Sequence, residues 1–129
     1  IDPAGRRVTV VGRSLVIGRP AALLLTRADA TVTLCHRKTP DLAARCRDAD
    51  ILLAAAGAPG LITTDFVRPG QIVLDAGATA LPDGTLRGDV APDAAAIAVC
   101  TPVPGGIGSV TTALLLRHTV QAAENLRHF

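Results

Sequence analysis

Val8-Thr9-Val10-Val11-Gly12-Arg13-Ser14, continued by Gly18-Arg19-Pro20 and then Ala21-Ala22-Leu23-Leu24-Leu25, is the stretch that decides the fold. A β-branched run stops at a glycine, a polar turn follows, and an apolar run of helical character begins. That order describes a strand, a tight turn and a helix whose first-turn N–H groups have no intrahelical partner. With the positive end of the helix dipole, those free donors form a seat for an anion such as a pyrophosphate. The expectation is a dinucleotide-binding domain.

Working outward, short apolar runs alternate with amphipathic stretches. Strands are expected at 7–11, 31–35, 51–55, 71–76 and 97–100, and helices at 17–27, 40–47 and 111–129, with a short helical turn at 64–67. Thr39 and Asp41 supply start chemistry for the second helix. Pro82-Asp83-Gly84 marks a turn that suits a small hairpin between Ala78 and Val90. Consecutive strands separated by helices need long crossovers, so the sheet is mainly parallel. The fold class is therefore α/β, Rossmann-like and doubly wound, with helices on both faces and one domain over residues 1–129.

Composition narrows the function. Hydrophobic residues make up 49 % and charged residues 19 %, a balance suited to a soluble domain with a real core. Two Phe are the only aromatics, so Ala, Val, Leu and Ile fill that core. A net charge of +2 without stacking platforms argues against nucleic acid. No apolar run reaches the ~20 residues that span a bilayer, and no signal peptide is visible, which excludes a membrane partner. Cys35, Cys46 and Cys100 show no metal-ligand spacing, and their odd number opposes a disulfide framework. Reduced thiols point to the cytoplasm, with Cys35 and Cys100 as small buried hydrophobes. No methionine occurs and the chain opens on Ile1-Asp2-Pro3-Ala4-Gly5, which reads as a linker leading in from a longer protein.

The turn after the first strand departs from GxGxxG, with Ser14 at the middle glycine's place and one extra residue before Gly18. The physical parts remain. Gly12 permits the tight turn, Gly18 permits close helix–strand packing, the Ser14 hydroxyl can donate to phosphate, and Arg13 adds a cation. Ala54-Ala55-Ala56-Gly57-Ala58-Pro59-Gly60 offers small residues against which a ribose or adenine can lie. At the end of the second strand an NAD site carries a carboxylate for the ribose 2′-OH. Here the sequence reads Cys35-His36-Arg37-Lys38-Thr39, with no acid. Arg37 suits a forked contact with a 2′-phosphate and Lys38 a second point charge, so NADP is favoured over NAD. His36 stays open between a structural role and contact with the nucleotide. Asp75 closes the fourth strand at the edge where such sheets bind ligands.

Three blocks together resemble one family. GRSLVIGRPAALLL (12–25), ATVTLCHRKT (30–39) and TPVPGGIGSVTTALLL (101–116) are similar to the bifunctional methylenetetrahydrofolate dehydrogenase/methenyltetrahydrofolate cyclohydrolase proteins. ADILLAAAGAPGLIT, GQIVLDAGAT and RGDV (87–90) fall between them in the same order. The resemblance implies an NADP-binding domain, with Gly12, Arg13 and Ser14 on the cofactor and Arg37 at the 2′-phosphate, where the family often has Ser. It implies that Ala78, usually Ile, contacts the nicotinamide side. Pro104, Gly105, Gly106, Ile107 and Gly108 match the segment flanking the pterin-bearing substrate, where a flat backbone lets two rings approach.

The resemblance also implies a tetrahydrofolate-type substrate held in a cleft against an N-terminal catalytic domain that this chain lacks. The family's catalytic Tyr and Lys lie there, so no catalytic residue is expected here and the fragment alone binds cofactor without turnover. Apolar surface left bare by that domain implies a homodimer. Two departures lie near the substrate: Ser109-Val110-Thr111 follows Gly108 where the family continues Pro-Met-Thr, and Ala78-Thr79 stand for Ile-Asn. Two other readings follow from these differences, a free-standing nucleotide-binding module and a dehydrogenase for another pterin.

Overall fold

A computed structural model describes residues 1–126. In chain order its elements are β1 (Arg7–Val11), α1 (Gly18–Arg27), β2 (Thr31–Cys35), α2 (Leu42–Asp48), β3 (Ile51–Ala54), β4 (Ile72–Asp75), β5 (Thr79–Ala80), β6 (Leu86–Arg87), α3 (Pro92–Ile97), β7 (Val99–Cys100) and α4 (Ile107–Leu126), with a 3-10 turn at Thr64–Phe66. Five parallel strands form the main sheet in the order β2-β1-β3-β4-β7, and β5 and β6 make a separate antiparallel hairpin. The chain winds outward from β1 to β2, then crosses back over β1 to β3. That reversal opens a crevice at the carboxyl ends of β1 and β3. Register aligns Cys35, Val11, Ala54 and Asp75 along that edge.

Alternation along the strands sends side chains to two cores. Val11, Leu52, Ala54 and Val73 pack with Cys35, Cys46, Ile62, Val67 and Ala94, under α2, the 3-10 turn and α3. Val8, Val10, Ile51 and Leu53 meet Ala21, Ala22 and Leu25 of α1 on the other face. The buried Thr9 hydroxyl donates to the Arg45 carbonyl at 3.0 Å and pins α2 against β1. At the amino ends of the strands, Arg7 pairs with Asp48 and Asp50, and Arg68 with Asp50.

Four expectations are corrected. Residues 92–97 form α3 and the last sheet strand begins only at Val99, because Pro92 opens a helix at its first position and three alanines follow. The last helix starts at Ile107 rather than Thr111, so Ile107 and Gly108 belong to its first turn. Thr39 and Asp41 do not cap α2: Asp41 sits at a left-handed φ of 51° with no side-chain bond, and the Thr39 hydroxyl accepts from His36 N–H instead. Cys100 is only partly buried. The expected end of the last helix at Phe129 lies outside the described residues.

No described residue of α4 is buried; Leu115 and Leu116 are each 65 % exposed. No helix among the described residues is long and apolar enough to cross a membrane.

Cys46 is fully buried, and burial pushes its thiol from the ordinary 9.0 up to about 12. The unfolded chain therefore loses this proton first. Stability contributed by the neutral thiol is whole below pH 9.0 and is lost as pH rises towards 12. Denaturation midpoints measured across that window are expected to fall for the native protein and to fall less for Cys46→Ala.

Candidate nucleotide-binding site

The crevice between β1 and β3 is a cavity of about 550 Å³ lined by Val11, Gly12, Arg13, His36, Arg37, Leu42, Ala56, Ala58 and Leu61. Gly12 turns the chain at φ +114°, and a β-carbon there would overlap the Ala55 carbonyl oxygen. Gly18 is equally constrained, because its β-carbon would overlap the carbonyl oxygen of Gly12. The two glycines let β1, α1 and the end of β3 converge on one point.

The helix start differs from the expectation. Ser14 Oγ accepts from Ile17 N–H at 3.0 Å and from Gly18 N–H at 3.5 Å, and the Ser14 carbonyl accepts from Arg19 N–H at 3.0 Å. Pro20 has no N–H, and Ala21 donates to Ile17. The first turn of α1 thus has no free donor, because Ser14 folds back onto it. The Ser14 hydroxyl proton remains available.

Arg37 and Lys38 sit on a four-residue turn at the end of β2. Thr39 N–H donates to the His36 carbonyl at 2.8 Å, and Lys38 N–H donates to His36 Nδ1 at 3.2 Å. The imidazole therefore supports the turn with one nitrogen while the ring lines the cavity. Arg13 and Arg37 both line the cavity, and no carboxylate is among the lining residues. Ser14, Gly18, Lys38 and Ala78 are not among them either; Lys38 and Ala78 are exposed beyond its rim.

Thr101, Pro102 and Val103 line a second cavity of about 340 Å³ with Asp75, Leu86, Arg87 and Cys100 among others, whereas Pro104, Gly105, Gly106, Ile107 and Gly108 line neither cavity. Pro104 follows a cis peptide bond, Gly105 has φ +96°, and Gly106 packs against the Pro102 carbonyl. Ile107 and Gly108 continue into α4.

Leu42 and Leu61, apolar walls of the first cavity, carry no signal apart from hydrophobicity. Asp89, which bonds the backbone of residues 56–58 beside that cavity, is marked in the sequence only as an acid inside Gly88-Asp89-Val90, a stretch that is otherwise small or apolar.

The comparison with known proteins agrees with this geometry. The model of the tetrahydrofolate dehydrogenase/cyclohydrolase NAD(P)-binding domain matches residues 1–127. The chain belongs to that family. Bifunctional protein FolD 1 of Rhodococcus jostii is 61 % identical over 127 residues, covering 95 % of this chain and 42 % of that protein. Bifunctional protein FolD of Chloroflexus aurantiacus is 56 % identical over 126 residues, covering 95 % and 44 %. The crystal structure of the bifunctional FolD enzyme from Campylobacter jejuni superposes with a TM-score of 0.90 at 42 % identity, over 97 % of this chain and 45 % of that one. The Trypanosoma brucei enzyme, complexed with NADP cofactor and inhibitor, gives 0.83 at 42 % identity, over 93 % and 44 %. The chain thus spans less than half the length of the relatives it matches. The Rossmann-like α/β class and the family read from the three sequence blocks both stand.

Proposed function

We propose that this chain is the NADP-binding half of a bifunctional methylenetetrahydrofolate dehydrogenase/methenyltetrahydrofolate cyclohydrolase. The observation that carries the cofactor choice is the cavity at the β1/β3 crevice, flanked by two arginines and lined by no carboxylate. A 2′-phosphate there meets only positive charge, whereas an NAD site would offer its ribose an acid. The small floor of Ala56 and Ala58 and the glycine turn fit a nucleotide lying close to the backbone. In this reading Gly12, Arg13, Ser14 and Gly18 form the pyrophosphate end. Arg37, with Lys38 as a more distant charge, holds the 2′-phosphate, and Ala78 lies on the nicotinamide side.

When bound, NADP supplies the hydride acceptor for oxidation of 5,10-methylenetetrahydrofolate. Pro104, Gly105, Gly106, Ile107 and Gly108 flank the folate, and acid–base chemistry comes from the other half of the protein. The bare α4 supports a further covering surface, from that half or from a second copy in a homodimer. The chain by itself binds cofactor without turnover, and the parent enzyme works in the cytoplasm, supplying one-carbon units to routes such as purine synthesis.

Calorimetric titration with NADP⁺ and NAD⁺ tests the reading. Arg37→Ala is expected to weaken NADP⁺ by about 1.5–3 kcal/mol, the worth of a hydrogen bond to a charged group, and to leave NAD⁺ nearly unchanged. Equal affinity of the unmodified chain for both nucleotides would count against the assignment.

A further inference from the structure

Two buried carboxylates, Asp89 bonded to the backbone of the cofactor cavity and Asp75 on the wall of the second cavity, have no part in the reading above. Asp75 closes β4 and Asp89 follows Gly88; they are 4 % and 0 % exposed. Neither is in a salt bridge among the described residues. Their oxygens are taken by backbone amides. Asp89 Oδ2 accepts from Ala56 N–H at 2.6 Å and Gly57 N–H at 3.0 Å, and Oδ1 accepts from Ala58 N–H at 2.8 Å. Asp75 Oδ1 accepts from Gly77 N–H at 2.9 Å and Asp89 N–H at 3.0 Å, and Oδ2 accepts from Val90 N–H at 3.0 Å. Asp75 N–H in turn donates to Thr101 Oγ1 at 2.8 Å. The packing is close enough that a β-carbon on Gly77 or Gly88 would collide with one carboxylate or the other.

We propose that Asp89 is a positioning residue for the nucleotide, holding the backbone of residues 56–58, the cavity floor, in its binding form before any ligand arrives. The inference rests on the nucleotide reading of that cavity. Ala56, Gly57 and Ala58 have little side chain with which to anchor themselves, and ordering each residue costs about 1–2 kcal/mol. Three successive amides converging on one anion form the same concave arrangement that backbone offers a bound phosphate. Here the anion is internal, so the ordering is complete before binding and does not subtract from affinity. The side chain must be a carboxylate. An amide would turn one acceptor into an NH₂ group facing an N–H donor. The bonded series from Thr101 through Asp75 and Asp89 to Ala56 also ties the start of the Pro/Gly loop to the cofactor floor.

The test compares Asp89→Asn with Val73→Ala, a core truncation under the same face that touches neither cavity. Asp89→Asn is expected to weaken NADP⁺ about tenfold or more, while Val73→Ala stays within about twofold despite its own loss of thermal midpoint. A loss below about tenfold in a folded Asp89→Asn protein, or an equal loss in Val73→Ala, overturns the proposal. Amide exchange of Ala56, Gly57 and Ala58 in the unmodified, ligand-free chain decides the matter even where Asp89→Asn does not fold. Slow exchange supports a preset floor; exchange at the rate of an open loop, slowed only by NADP⁺, overturns it. Absence of NADP⁺ binding by the unmodified chain would instead sink the nucleotide reading, and slow exchange would still establish the preset floor.

Discussion

Gly12→Ala is expected to lower the stability of this domain by about 2–5 kcal/mol, adding the strain of a left-handed β-carbon to that of overpacking. Gly12 sits at φ +114°, and an added β-carbon would overlap the carbonyl oxygen of Ala55. That oxygen has little room to move, because the Ala55 N–H donates to the Val11 carbonyl at 2.8 Å and the residue directly follows β3. Relief requires β1 and β3 to part where the nucleotide would lie, so NADP⁺ affinity should fall as well. Gly57→Ala is the control. It shares a positive φ, +65°, but nothing lies within 4 Å of its β-carbon. Its cost should stay at about 1–2 kcal/mol. Denaturant midpoints of the two variants separate strain from overlap, and equal midpoints would mean that the end of β3 yields easily.

What the sequence made legible follows the range over which each signal acts. The strand, glycine turn and helix at 7–27 are local patterns, and their glycines are constrained as the turn demands. The place of Arg37 on the cavity wall follows from its position just past β2, a local feature of the sequence. The Pro/Gly segment was singled out only through resemblance, and its last two residues, Ile107 and Gly108, belong to the first turn of α4. The free donors expected at the start of α1 are absent, because a hydroxyl three and four residues before open amides bonds to them first. Asp89 was illegible because its partners lie 31–33 residues away, on a loop with no side chains to announce the contact. Among the helices, α3 was hidden by length, since six residues carry too little periodicity.

Asp75→Ala should destabilise the domain by about 3–6 kcal/mol, since three buried N–H groups lose their acceptor at about 1–3 kcal/mol each and entering water recovers part. The donors are Gly77, Asp89 and Val90, all buried. Total stabilities of about 5–15 kcal/mol make that close to unfolding. Asp75→Asn should cost less. Its oxygen can take the Oδ1 position and keep Gly77 and Asp89, leaving one donor facing another at Val90, a loss of about 1–3 kcal/mol. Equilibrium unfolding in urea checks the ordering, and a cost below about 1 kcal/mol for Asp75→Ala would mean that water replaces the carboxylate fully. The position carries a general lesson about such edges. A carboxylate at the carboxyl end of a central parallel strand reads as a ligand contact, because ligands in these sheets bind there. Asp75 stands in that row beside Cys35, Val11 and Ala54, yet both its oxygens point into the amides of its own chain. What it holds is the shape of the backbone around it, which is why truncation should register in unfolding before it registers in any titration with nucleotide.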